Sequence, residues 1–334
     1  MREHKGIDTK YWKKEIVAFC ALQLLKGIGF KTLYKIAKCK MSFYELLFFS
    51  DPEYFQNTLG IRLENEVLED RSKWIKFQKE QWDIGVKTAA KLGQDDIRVI
   101  FREQDNFPER LRKISPSPMW LFVQGSIENL HKPSVAIIGS RKSSEDGLWL
   151  TKFTVAALAN LNIVTISGLA KGIDQKAHQE SINFSIPTVA IIGTGIDNNY
   201  PAGSEKLRRE IIDNGGTIVS EYLLGQSFSK ENFVRRNRIQ AGLANIVIPV
   251  EWNIKSGTAH TVNFSKDLNK SLIMPYLPNK NILDAELLEI KDYSKGKTFL
   301  IPQESEKLID SVISSNIEKE YSSENSTQQL PFDL

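Results

Sequence analysis

The chain is predicted to be an α/β protein: a doubly wound, mostly parallel sheet preceded by a small all-helical domain. Three observations predict this. From Ser134 onward, short apolar β-branched runs alternate with helical segments, the pattern of a parallel sheet with crossover helices. Before about residue 93 the apolar residues recur at helical spacing. Between the two regions lie isolated strand signals and turn-forming prolines.

The helical region shows apolar spacing through Ile16, Val17, Phe19, Leu22, Leu24 and Leu25, resuming at Leu33, Ile36 and Ala37 after Lys26-Gly27-Ile28-Gly29-Phe30. Two helices joined by Gly-x-Gly form a helix-hairpin-helix (SAM-like) unit. Such a hairpin either presents backbone N–H groups to a phosphate or simply packs a small domain. Next come strand signals at Arg98–Phe101 and Trp120–Val123, with turn chemistry at Phe107-Pro108 and Ser115–Pro118. The buried-type strands are Ser134–Ile138, Ile163–Ile166, Thr188–Ile192, Thr217–Ser220, Ile246–Val250 and Ser271–Met274. Helical segments fall between them. Pro249 is unwelcome in a central strand and marks a bulge or an edge. Residues 290–308 are ambiguous, and the polar stretch Tyr321–Gln329 is expected to be disordered. The expected division is therefore 1–93 helical, 94–285 α/β core and 286–334 a short C-terminal extension.

Composition narrows the classes. The 334 residues carry 44 basic and 41 acidic side chains, a net charge of +3. A polyanion partner therefore needs clustered cations. Two cysteines, Cys20 and Cys39, without Cys-x-x-Cys argue against a disulfide framework or a zinc site. No run of about 18 apolar residues is present, so no membrane span is expected. The charged N-terminus does not read as a signal peptide, and the cytoplasm is the expected compartment.

In an open parallel sheet, ligands bind beyond the carboxyl ends of the strands. The residues there are Gly139-Ser140-Arg141-Lys142, then Ser167-Gly168-Leu169-Ala170-Lys171-Gly172-Ile173-Asp174, then Gly193-Thr194-Gly195, then Ser220-Glu221, then Lys255-Ser256-Gly257-Thr258. Glycines let backbone approach an anion, helix N-termini offer N–H donors, and Arg141 supplies a planar fork. Lys171 adds a point charge. Asp174 reads as a helix cap with His178 one turn on, so a contact between the two is expected. Arg235, Arg236 and Arg238, with Asn237 among them, follow Lys230 and Phe233. Cations interleaved with rings suit single-stranded nucleic acid. The candidate phosphate- and DNA-binding residues are thus Gly139, Ser140, Arg141, Lys142, Ser167, Gly168, Lys171, Gly172, Gly193, Gly195, Arg235, Arg236, Asn237, Arg238, Lys255, Ser256 and Gly257. The lack of Gly-x-Gly-x-x-Gly argues against a dinucleotide site.

In this order, these stretches, together with Tyr200-Pro201, Arg236-Asn237-Arg238-Ile239, Ala241-Gly242-Leu243 and Glu251, resemble the DNA-processing protein A (DprA, or Smf) family over roughly residues 98 to 276. The resemblance implies an extended Rossmann-like fold that binds single-stranded DNA and forms homodimers. It also implies delivery of strands to a RecA-type recombinase in natural transformation, without catalytic turnover or cofactor. By the same resemblance Arg141, Lys171 and Arg235–Arg238 are DNA contacts. The chain departs from the family at Phe233-Val234-Arg235, at Ala259–Asn263 and at Pro275-Tyr276, and no winged-helix-like domain is recognisable in 286–334. The alternative is a nucleotide-binding sensor or hydrolase of the wider superfamily, with Glu221 or Glu251 as general acid or base.

Overall fold

The structure, a computed structural model, describes residues 4–324, with side chains for 9–315. Six helices come first: α1 His4–Leu22, α2 Phe30–Lys38, α3 Phe43–Phe48, α4 Pro52–Leu59, α5 Asn65–Glu69 and α6 Arg71–Gln94. Ser42 and Asp51 cap α3 and α4 by accepting from the Glu45 and Tyr54 amides, and Gly60 ends α4 in the left-handed conformation.

Then follow β1 Ile97–Phe101, α7 Glu109–Arg112, β2 Trp120–Gly125, β3 Ser134–Ile138, α8 Glu145–Ala157, β4 Val164–Ser167, α9 Ile173–Asn183 and β5 Thr188–Ile191. The chain continues through α10 Glu205–Asp213, β6 Thr217–Ser220, α11 Lys230–Leu243, β7 Ile246–Pro249, α12 Gly257–Asp267 and β8 Ser271–Tyr276. It closes with α13 Ala285–Lys291, β9 Gly296–Leu300 and α14 Ser305–Glu324.

One sheet of nine strands runs in the order β1-β2-β6-β5-β4-β3-β7-β8-β9. The pairs β1–β2 and β2–β6 are antiparallel, and all others are parallel. The fold is thus α/β and doubly wound, as the alternation predicts. From β3 the chain winds outward through β4, β5 and β6, then returns to β7 on the other side of β3. The strand order reverses between β3 and β7, and a ligand crevice opens at such a point.

Pro249 marks neither a bulge nor an edge. It is the last residue of β7, opposite Ile138 of β3. The ladder from β7 to β8 has ended by then, at Val247–Leu272, so the missing N–H leaves no partner wanting. β9 and α14 were not predicted. β9 is an edge strand whose residues are only partly buried, so its sequence lacks the apolar run of an interior strand. Tyr321–Glu324 continue α14, contrary to the disorder expected there; residues 325–329 lie outside the described residues.

The helical region and the sheet share apolar packing. Phe19 of α1 meets Phe101, Trp120 and Phe122 at ring-centroid distances of 5.5, 5.0 and 6.1 Å. Buried residues from α1, α2, α3, α4 and α6 form one cluster with β1, β2 and β6. Among the described residues no helix is long and apolar enough to cross a membrane, and no group of three or more His, Cys, Asp or Glu could hold a metal ion.

Candidate nucleic-acid cleft

Three chain segments meet where the strand order reverses. At the exit of β3 a Cβ on Gly139 would lie 2.6 Å from the Ile173 side chain and 2.8 Å from the Glu251 carbonyl. Only glycine lets this strand end sit between α9 and the exit of β7. The Ser140 amide donates to the Glu251 carbonyl at 2.6 Å, and the Ile173 amide donates to the Ser140 carbonyl at 3.1 Å. The loop is held on both sides, and Arg141 and Lys142 project from it, exposed.

The result is a cleft of about 590 Å³. Arg141, Lys142, Lys230 and Lys255 line it, and His260 stands at its wall. Tyr200, Phe228 and Phe233 form an aromatic side: Tyr200 lies 4.3 Å from Phe228 and 5.0 Å from Phe233, centroid to centroid. Phe228 is 56% exposed, which leaves its ring accessible from solvent. The Arg141 guanidinium lies 5.0 Å above the Phe233 ring, which keeps its fork extended along the wall.

Asp174 is the one acidic residue among those lining the cleft, and it is buried. Burial raises its carboxyl above the ordinary range, opposed by the Arg236 guanidinium, the Ser167 hydroxyl and the Gly139 amide. Burial also lowers Arg236 to about 10, so it stays charged at neutral pH. The floor thus holds one buried carboxyl and one buried guanidinium, and the exposed cations Arg141, Lys142, Lys230 and Lys255 stand at the rim. The N-terminus of α12 opens on the same space through Ser256, Gly257 and Thr258. Ser256 makes no side-chain cap there, and the Asn237 amide holds the Gly257 carbonyl at 3.1 Å. A helix N-terminus without a cap, among cations, suits an anion.

Of the predicted residues, Gly139, Ser140, Arg141, Lys142, Arg236, Asn237, Lys255, Ser256 and Gly257 line the cleft. The others do not. Ser167 donates to the Ile137 carbonyl at 2.6 Å. Gly168 leaves room for Arg236, Gly193 for the Phe233 ring and Gly195 for the Leu223 carbonyl, so all three serve close packing. Gly172, at φ +83°, makes room for the Ser140 carbonyl. Lys171 is exposed outside the cleft lining.

The arginine cluster divides. Arg238 is 2% exposed and grips Glu221 with two bonds of 2.7 and 2.6 Å. Arg235 sits 4.3 Å above the Phe30 ring of α2. A helix turns about 100° per residue, so adjacent arginines cannot share one face.

Three further expectations are corrected. Asp174 is not the cap of α9; Gly172 is. His178 pairs with Thr188 at 2.7 Å rather than with Asp174; the Asp174 carboxyl instead feels the Arg236 charge. The Ser140 amide, expected to face an anion, is taken by Glu251. Glu221 is held by Arg238, and Glu251 accepts from the Ser144 amide at 3.0 Å and its hydroxyl at 3.1 Å. Both carboxylates suggested for acid–base chemistry are engaged outside the cleft lining. Sequence reasoning set Lys230 and Phe233 among the interleaved cations and rings, but did not single out Tyr200, Phe228 or His260 as site residues. The nearness of Phe228 to the arginine run was the available signal.

A family model described as DNA recombination-mediator protein A matches residues 98–326. DNA processing protein DprA of Streptococcus pneumoniae is 39% identical over 157 residues, which is 47% of this chain and 55% of that protein. Protein Smf of Escherichia coli is 32% identical over 170 residues, 51% of this chain and 46% of that one. The chain thus spans about half the length of the curated relatives it matches. Among solved structures, that of DprA from Streptococcus pneumoniae superposes with a TM-score of 0.59 at 25% identity, covering 86% of this chain and 93% of that one. DNA processing protein A from Helicobacter pylori, described for its single-stranded DNA binding mode, superposes with a TM-score of 0.56 at 26% identity, covering 66% and 97%.

Proposed function

Because the chain belongs to the DNA recombination-mediator protein A family, we propose that its cleft binds single-stranded DNA and that the protein passes such strands to a RecA-type recombinase during DNA uptake. The carrying observation is the joining of Arg141, Lys142, Lys230 and Lys255 to an aromatic wall with Phe228 exposed in one cleft. Cations take the phosphates and rings take unpaired bases. The single-stranded DNA binding described for the Helicobacter pylori relative supports the same reading. Binding without turnover accords with the engagement of Glu221 and Glu251 elsewhere. Action as a homodimer, and an internal division near residue 94 into a helical and an α/β part, belong to the same proposal.

The test is fluorescence anisotropy with a labelled single-stranded oligonucleotide over a salt series. The expected result is a steep negative salt slope, with duplex of the same sequence bound more weakly. Arg141→Ala should weaken binding roughly tenfold and reduce the slope by about 0.7. Phe228→Ala should cost about 1–3 kcal/mol of binding with the slope unchanged, since a ring carries no charge. Binding of a mononucleotide but not of an oligonucleotide at low salt would overturn the proposal.

A further inference from the structure

Beyond the cleft, α2 carries a second row of cations. Lys31, Lys35 and Lys38 are exposed, and none of them forms an ion pair with a described residue. Unpaired lysines at spacings of four and three fall on one face of a helix, over about 10 Å of its length.

The position of this face matters more than its charge. Leu33 and Ile36 are buried, while Phe30 and Tyr34 turn toward the α/β part. There the Phe30 ring centroid lies 5.2 Å from that of Trp120, and the Tyr34 hydroxyl donates to the Ser117 carbonyl at 3.2 Å. Lys31 and Lys35 each follow Phe30 or Tyr34 by one residue, so the lysine face lies about 100° round the helix from that contact edge. Arg235 of α11 stands on the same edge, 4.3 Å over Phe30 and 5.6 Å over Tyr34. Two residues before it, Phe233 forms the cleft wall. The first turns of α11 therefore run from the aromatic side of the cleft to α2, the helix that carries the lysine face. Glu221, the carboxylate nearest Arg235 at 3.5 Å, is buried at 1% exposure and already bound to Arg238, so it offers the surface little negative charge.

We propose that Lys31, Lys35 and Lys38 form a second phosphate-contacting surface, over which a single strand continues after leaving the cleft past Arg235. The inference rests on the reading of the cleft as a single-strand site and adds a direction and a length to it. The helical region then enlarges the binding site instead of merely preceding it. The contacts are to backbone phosphates, so they are independent of sequence.

The test uses the full chain, the triple variant Lys31→Gln/Lys35→Gln/Lys38→Gln, and two labelled oligothymidylates, of about six and about twenty-four nucleotides. Glutamine keeps helix propensity, and an unchanged melting temperature verifies the fold. The expected result is unchanged affinity for the short probe, at least tenfold weaker binding of the long one, and a salt slope lower by about 2 for the long probe alone. Unchanged long-probe binding, or an equal loss for both lengths, would overturn the proposal while leaving the cleft reading standing. Failure of the unmodified protein to bind either probe would instead sink the cleft reading, and the lysine surface with it.

Discussion

Among the arginines of α11, neighbours in sequence do different work. Arg238 and Glu221 are 2% and 1% exposed and bonded twice, and Arg238 also donates to the Pro116 carbonyl at 2.8 Å. Removing one partner of such a pair strands a buried charge, at a cost of about 3–5 kcal/mol. Arg238→Ala should lower stability by that amount in urea unfolding. Arg238→Lys should recover little of it, because an ammonium cannot reproduce the two-bond fork. Arg141→Ala, a change at an exposed side chain, should stay within about 0.5 kcal/mol of the parent. His178 supplies a pH signature. Burial, with the Arg236 charge adding, pushes it down to about 3. As pH falls below its ordinary value of about 6.5, the unfolded chain takes up a proton that the folded protein refuses until about pH 3. Stability from this group is therefore present near neutrality and declines by roughly 1 kcal/mol per pH unit through that window. His178→Gln should flatten the dependence of unfolding free energy on pH between about 7 and 5; an identical slope in both proteins would refute the assignment.

At the scale of elements, the cleft is made by how strand ends and helix starts approach one another. A Cβ at position 193 would come within 2.6 Å of the Phe233 ring. Gly193→Ala should displace that ring and the start of α11, weakening oligonucleotide binding several-fold although residue 193 lies outside the cleft lining. Tryptophan-independent near-ultraviolet signals of the aromatic trio, compared with a Phe233→Leu control, would register the displacement. The interior strands were legible because they are buried on both faces and read as continuous apolar runs. β9 was not, since Gly296-Lys297-Thr298 at a sheet edge carries no such run. Asp174 and Gly172 exchanged their expected roles because a cap is decided by backbone conformation, here φ +83° at Gly172, and not by residue type alone.

At the scale of the molecule, the helical region and the sheet are joined through Phe19, whose ring is fully buried among Phe43, Phe101, Trp120 and Phe122. Phe19→Ala should cost about 3–5 kcal/mol, and helical circular dichroism and tryptophan fluorescence should lose their signals at one common denaturant midpoint. Two separated midpoints would show that the regions unfold independently. By itself, the sequence determined the α/β class and the six interior parallel strands, because period and order along the chain encode them directly; its motifs carried the family resemblance and pointed to the strand-end edge as the candidate site. Only the tertiary structure decided which residues of that edge share a cleft. It turned Arg236 into the floor, Arg238 into a buried tie and Arg235 toward α2, and it brought Tyr200 and Phe228 to one wall from separate loops. The physical reason is that a helix points successive side chains in different directions, and that burial forces each charge to find whichever partner lies nearest in space rather than in sequence.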